Sequence, residues 1–197
     1  MKLGCVIMAA GESLRFGENK LLQNFDGVPL YARAMAAVPE GAFDRVCVVT
    51  AYAPVRHRAE ALGFLVVMND RPDLGLSRTI HLGLEQLTDC DGVAFITADQ
   101  PLLSAGTVQA LTAAFLREPT CIWAASHGGT RGNPCVFPKD LLEELLALQG
   151  DVGGSRVIHA HLDRLRCLDV PEEELADCDT AQALQALRRK YESAKNS

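Results

Sequence analysis

The chain of 197 residues is defined first by what it lacks. No apolar run approaches the roughly 18 residues of a membrane-crossing helix, so no transmembrane segment is predicted. The N-terminus has one lysine followed by strand-like residues and no signal-peptide pattern, which predicts a cytoplasmic location. Basic residues are not in excess: 19 Lys and Arg face 25 Asp and Glu, for a net charge of -6. That balance argues against a general binder of nucleic acid or of anionic membranes, leaving only local basic patches open. No C-x-x-C pair occurs among the seven cysteines, Cys5, Cys47, Cys90, Cys121, Cys135, Cys167 and Cys178. Their odd number and scatter favour reduced core thiols over a disulfide framework or a zinc site. The histidines, His57, His81, His127, His159 and His161, show no metal-ligand pattern. His159 and His161 are spaced for one face of a strand, not of a helix. No Ser-His-Asp or Cys-His arrangement can be argued.

Two common phosphate signatures are also missing. G-x-x-x-x-G-K-S/T fails because Gly17 is followed by Glu18-Asn19-Lys20. G-x-G-x-x-G does not occur, and the second strand ends in Thr50 rather than in an acid that would hold a ribose. Both absences count against a P-loop NTPase and a dehydrogenase.

What is present is a regular alternation of strand and helix. Strands are predicted over Leu3–Met8, Arg45–Thr50, Leu65–Met68, Val93–Thr97, Ile122–Ser126, Cys135–Phe137 and Leu165–Val170. Helices are predicted over Pro29–Val38, Pro54–Leu62, Ser77–Leu87, Ser104–Leu116, Lys139–Leu148, Arg156–His161 and Thr180–Tyr191, with a polar, frayed tail beyond Tyr191. The pattern reads as an α/β fold, a three-layer Rossmann-like, mostly parallel sheet with helices on both faces. A chain of this length buries roughly 70% of its unfolded surface and suits one domain without staples. Ligands of such sheets bind in the crevice beyond the C-terminal strand ends. The first strand delivers Ala10-Gly11 there, and the fourth delivers Asp99.

The loop Met8-Ala9-Ala10-Gly11-Glu12-Ser13-Leu14-Arg15-Phe16-Gly17-Glu18-Asn19-Lys20 follows the first strand. Its small residues and Gly11 let backbone N–H groups approach a ligand, and Arg15 and Lys20 add positive charge where a polyphosphate would lie. The bland alternative is a strand-to-helix turn carrying surface cations. In Thr97-Ala98-Asp99-Gln100-Pro101, Asp99 is a hard oxygen ligand suited to Mg²⁺ held jointly with phosphates, or else merely turns the chain.

The loop resembles the Ala-Ala-Gly-x-Ser-x-Arg-Phe/Met-Gly-x-x-Lys signature of the molybdopterin nucleotidyltransferases, the cytidylyltransferases and their guanylyltransferase relatives. Ala9, Ala10, Gly11, Ser13, Arg15, Phe16, Gly17 and Lys20 match. The resemblance implies a nucleotidyltransferase fold over residues 1–197, with about 1–103 holding the nucleotide and about 104–197 the acceptor. It implies nucleotide contacts by Ala9, Ala10, Gly11, Glu12, Ser13, Arg15, Lys20 and Asp99, with Arg15, Lys20 and Asp99 catalytic. Asp177-Cys178-Asp179-Thr180 is similar to the family's Asp-Ile-Asp-Thr, which makes Asp179 the second Mg²⁺ ligand beside Asp99. A helix cap is the competing role there, and Asp177 either assists the metal or caps the last helix. Asn69 and Gly75-Leu76-Ser77-Arg78-Thr79 fall on a further nucleotide segment; Ser77 and Thr79 either contact base or sugar or simply cap a helix. Arg131 and Asn133, in Gly132-Asn133-Pro134, and Asp151, in Gly150-Asp151-Val152-Gly153, fall on the acceptor side, where a polar hairpin and loop would account for them equally.

The activity this implies is transfer of CMP from CTP to the phosphate of a molybdenum-bearing pterin cofactor, releasing pyrophosphate. Ala-Ala-Gly is the form tied to CTP and Gly-Gly the form tied to GTP, and an extra methyl narrows a base pocket toward a pyrimidine. Alternatives are a guanylyltransferase, a sugar- or alditol-phosphate nucleotidyltransferase, against which Asn19 in place of Pro counts, and a non-catalytic module that delivers a cofactor. Implied partners are the nucleotide, the pterin and, transiently, a molybdoenzyme or its chaperone.

Overall fold

The structure is a computed structural model and describes residues 1–13, 16, 17 and 19–195. Its strands are β1 (Leu3–Ala9), β2 (Asn24–Phe25), β3 (Val28–Pro29), β4 (Arg45–Thr50), β5 (Leu65–Met68), β6 (Gly92–Thr97), β7 (Ile122–His127), β8 (Thr130–Pro138) and β9 (Leu165–Asp169). Its helices are α1 (Leu30–Ala36), α2 (Ala53–Ala61), α3 (Leu76–Leu84), α4 (Ala105–Arg117), α5 (Leu142–Leu146), α6 (Ser155–Ala160) and α7 (Ala181–Lys195). The main sheet has seven strands in the order β5-β4-β1-β6-β8-β7-β9. β8 pairs antiparallel with both β6 and β7, and every other pair is parallel. The expected α/β class, mostly parallel with helices on both sides, is therefore the observed one.

The apolar pattern explains the layers. β1 is buried almost throughout, as a central parallel strand must be. Cys5, Ile7 and Ala9 point to the layer of α1, α2 and α4, where Met35, Val55, Leu111 and Phe115 pack. Val6 points to the other face, with Ile80 and Leu84 of α3, Leu145 of α5 and Val157 of α6. This is the two-residue period of a strand. β4 and β6 flank β1 in register, so Met8 lies beside both Val49 and Thr97. Ser104 caps α4 by accepting from the Thr107 N–H at 3.1 Å, as its sequence position predicts.

Three expectations need correction. The strand expected over Cys135–Phe137 begins earlier, at Thr130, directly after a tight turn in which Gly128 and Gly129 take φ values of 54° and 82°. The segment Lys139–Leu148 begins as a 3-10 turn over Lys139–Leu141, and only Leu142–Leu146 is α-helical. The last helix does not fray at Tyr191 but continues to Lys195, because its outer turns pack on the β2–β3 hairpin. Phe25 and Tyr191 bring their rings within 5.2 Å, Lys195 pairs with Asp26 at 2.7 Å, and Arg188 donates to the Asn24 carbonyl. Phe25, Leu30, Cys178, Leu184 and Leu187 form a separate small core beneath this contact. It joins the segment after the first loop to the chain's last helix.

β6 leads into the turn that holds Asp99 and approaches α4 closely. A Cβ on Gly92 would lie 2.4 Å from Phe115 Cζ, and Phe115 is fully buried. Gly92→Ala should therefore destabilise the fold by about 1–3 kcal/mol through overpacking. Combining it with Phe115→Leu should recover part of that loss in a urea-denaturation double-mutant cycle; strict additivity would contradict the packing argument.

Candidate active site

The C-terminal ends of β1 and β6 open side by side into a cleft of about 520 Å³. Ala10, Gly11, Glu12, Ser13, Lys20, Gly75, Thr79, Asp99, Asp151 and Asp179 line it. Three local bonds shape the first loop. Thr50 Oγ1 donates to the Ala9 carbonyl at 2.9 Å, Tyr52 Oη donates to the Gly11 carbonyl at 2.7 Å, and the Lys20 N–H donates to Ser13 Oγ at 3.2 Å. Ser13 adopts a left-handed φ of 55°, which folds the loop back toward Lys20. Gly11 has no positive φ, and among the described residues no atom lies within 4 Å of where a Cβ would stand. Packing does not explain a glycine there; the bare backbone faces open cleft.

Lys20 reaches across this cleft. Its Nζ lies 2.6 Å from Asp99 Oδ2 and 2.8 Å from Asp179 Oδ1. Asp99 and Asp179, far apart in sequence, are brought together by the Cys178 N–H, which donates to the Asp99 carbonyl at 3.1 Å. Thr180, rather than Asp177, caps α7 by accepting from the Ala183 N–H at 3.1 Å. Burial opposes the charge on Lys20, but Asp99 and Asp179 outweigh it and hold its pKa above the ordinary 10.5. Asp99 Oδ1 is buried and has no hydrogen-bond partner among the described residues. A hard divalent cation satisfies such an oxygen, and paired aspartates are oxygen donors of the kind it takes, so the residues present fit a divalent cation such as Mg²⁺.

The remaining expected residues divide. Thr79 lines the cleft, whereas Asn69 and Ser77, 1% and 4% exposed, are not among its lining residues. Asn69 instead braces the wall: its Nδ2 donates to Thr79 Oγ1, and its Oδ1 accepts from the Arg71 N–H and Arg78 Nε. Ala10 lines the cleft while Ala9, fully buried, packs in the core. Asp151 also lines this cleft. Its Oδ1 accepts from the Leu76 N–H at 3.4 Å at the start of α3. Gly75 makes this approach possible: at φ 88°, any Cβ would stand 2.4 Å from the Gly150 carbonyl carbon. Arg131 and Asn133 line a second cavity of about 110 Å³, which shares Met8, Leu76 and Thr97 with the cleft. Arg131 donates to Ser155 Oγ at 3.3 Å on its rim. Arg15 lies outside the described residues.

Sequence reasoning missed Gln100 and Glu174. Gln100, 3% exposed, donates to the carbonyls of Asn133 and Leu175 and bonds Thr97 Oγ1 at 3.1 Å. It thereby ties the Asp99 turn to β8 and to the segment that leads into Asp177. Glu174 accepts from both the N–H and the hydroxyl of Ser104, at 2.9 and 3.0 Å. A polar side chain directly after Asp99 was the available signal for Gln100; nothing local marks Glu174. All seven cysteine sulfurs are free, and six of the seven residues are buried. Burial pushes the Cys135 thiol up to about 11 and Cys178 up to about 12, so neither supplies a thiolate near neutral pH.

A cleft over the C-terminal strand ends, with a bare backbone loop, a lysine and paired aspartates, defines an α/β protein of the nucleotidyltransferase fold. Residues 5–165 match the MobA-like NTP transferase domain family, and the chain belongs to that family of nucleotidyltransferases. The chain is 26% identical to the purine catabolism protein PucB of Bacillus subtilis over 93% of this chain and 95% of PucB. It is 33% identical to a molybdenum cofactor guanylyltransferase of Rhodobacter capsulatus over 58% of this chain and 60% of that protein. It is 34% identical to the bifunctional protein GlmU of an Azoarcus strain over 55% of this chain, which spans only 25% of GlmU. Among solved structures, the Rv0371c homolog from Mycobacterium sp. strain JC1 superposes with a TM-score of 0.82 at 24% identity, covering 98% of this chain and all of that one. Rv0371c of Mycobacterium tuberculosis in complex with manganese gives 0.78 at 21% identity over 96% of this chain and 99% of that one. A CMP:2-keto-3-deoxy-manno-octonic acid synthetase complexed with CTP gives 0.74 at 14% identity over 98% of this chain and all of that one. These likenesses concern the fold. Among the described residues no helix is long and apolar enough to cross a membrane.

The raised pKa of Lys20 has a definite sign. A cation stabilised in the folded state contributes stability that is fully present below its ordinary 10.5 and is lost as pH rises through its folded value. The stability gap between the wild type and Lys20→Met should therefore stay level from about pH 7 to about 10 and shrink only above that. Urea melts at stepwise pH measure it; a gap closing near neutrality would contradict the Lys20 assignment.

Proposed function

We propose that the protein transfers a nucleotidyl group from an NTP to an acceptor phosphate, and specifically CMP from CTP to the phosphate of a molybdenum-bearing pterin cofactor in the cytoplasm. The observation that carries the reading is the meeting of Lys20 with Asp99 and Asp179 in the cleft beside Gly11. Gly11, Glu12 and Ser13 offer backbone to the triphosphate, and Thr79, Gly75 and Ala10 border the nucleoside, with Asn69 and Ser77 supporting that wall from behind. Lys20, with Arg15, offsets charge on the β- and γ-phosphates. A charge-assisted hydrogen bond is worth roughly 1.5–3 kcal/mol, so its loss costs roughly tenfold to a hundredfold. An oxygen of the acceptor phosphate attacks the α-phosphorus, the bond to the β-phosphate oxygen breaks, and pyrophosphate leaves with the negative charge. The attacking phosphate is already anionic at neutral pH, so positioning and electrostatics suffice without a strong protein base. Asp99 and Asp179 would hold Mg²⁺, which would supply Lewis-acid neutralisation of the phosphate charge. Arg131 and Asn133, in the adjoining cavity, orient the acceptor, and Asp151 sits between the two sites. The product is then handed to a molybdoenzyme or its chaperone.

The Ala10 methyl at the cleft wall supports a pyrimidine. The likeness to a guanylyltransferase supports GTP as the second reading. Thermal stabilisation by CTP, GTP, ATP and UTP, each with and without Mg²⁺, separates them: the true substrate at 100 times its Kd should add about 2.7 kcal/mol. Stabilisation by GTP but not CTP overturns the cytidylyl reading, and no response to any nucleotide overturns the transferase reading. Gly11→Ala offers an independent check. With open space around its Cβ, stability should change by less than about 0.5 kcal/mol, while nucleotide affinity falls by about tenfold or more. An unchanged affinity would remove Gly11 from the phosphate cradle.

A further inference from the structure

Lys20 stands in a demanding position for a residue whose partner is phosphate. Its ammonium bridges Asp99 Oδ2 at 2.6 Å and Asp179 Oδ1 at 2.8 Å, the same two carboxylates that a divalent cation would use. The side chains of Lys20 and Asp99 are only 13% and 16% exposed, so water screens this attraction less than at an open surface. A divalent ion engaging both carboxylates would stand within a few ångströms of Nζ, and like charges at that distance repel. The two cations therefore compete for one seat. Asp99 Oδ1, buried without a partner among the described residues, is the oxygen that the single ammonium leaves unsatisfied.

We propose that Lys20 is the internal counter-ion of the metal seat and must leave it before a divalent cation can bind both aspartates. Its flexible four-carbon stem lets Nζ swing while the Lys20 N–H stays on Ser13 Oγ. A triphosphate in the cleft supplies the anionic oxygens that draw the ammonium away. Metal and nucleotide then bind as a coupled pair, each raising the affinity of the other by the same factor. Metal alone binds weakly, because it must displace Lys20 without offering the ammonium a new partner. This inference rests on the nucleotidyltransferase reading of the cleft.

The test is Mn²⁺ binding without nucleotide, followed by electron paramagnetic resonance of free Mn²⁺, on the full chain. Wild type, Lys20→Met, Lys20→Gln and the double variant Lys20→Met/Asp99→Asn are compared. Both single variants should bind Mn²⁺ about tenfold or more tightly than the wild type, and the double variant should lose the gain. Two variants of different polarity guard against one that fails to fold, which circular dichroism detects. Equal or weaker Mn²⁺ binding by the folded single variants overturns the proposal. So does tight binding that survives Asp99→Asn, since the metal would then lie elsewhere. Failure of the transferase reading shows separately, as a wild type that no nucleotide stabilises, and leaves the Mn²⁺ comparison readable.

Discussion

Two carboxylates that face each other in a half-buried cleft repel, and a cation between them relieves that repulsion. In this protein that cation is the ammonium of Lys20, held between Asp99 and Asp179. Each residue of the trio ends a different segment: the loop after β1, the turn after β6 and the strip before α7. Much of the architecture serves to bring those ends to one place. β1 and β6 pair in register, so their C-terminal ends emerge together. The backbone bond from Cys178 to Asp99 docks the third segment. Packing of α7 on the β2–β3 hairpin ties that segment back to the chain just beyond Lys20.

A second constraint joins the two parts of the cleft. α3 begins directly against the Gly150–Asp151 backbone, too close for any side chain on Gly75. The Ser77 N–H donates to the Gly150 carbonyl at 3.1 Å, so the start of α3 is satisfied by a loop from the far half of the chain. Gln100 adds a third link by holding the Asp99 turn to β8. The cleft and the adjoining cavity are thus continuous, sharing Met8, Leu76 and Thr97. A shift of β8 would be felt at Asp99 through one buried amide.

Membership of the MobA-like family fits this economy of parts. Positioning and charge accomplish phosphoryl-group chemistry when the attacking group is already an anion. Among the described residues the cleft accordingly presents backbone, one lysine and carboxylates.

Local patterns in the sequence were sufficient to determine the alternating fold and the positions of nearly every strand, and the family resemblance singled out Lys20, Asp99 and Asp179, which the fold brings together. Hydrophobic periodicity and loop composition depend only on near neighbours, and strand ends of a parallel sheet share one crevice. Tertiary structure alone decided how those residues are used. Asn69 and Ser77 carry the right groups, but burial turns them away from the cleft, and Asn69 spends its amide on Thr79, Arg71 and Arg78. Asp151 lines the same cleft as Lys20 because the Gly75 and Gly150 backbones meet there. Gln100 and Glu174 matter through partners tens of residues away, which no local pattern reports. Chain chemistry is written residue by residue, whereas the ammonium between Asp99 and Asp179 exists only once separations of 79 and 159 residues have been closed by folding.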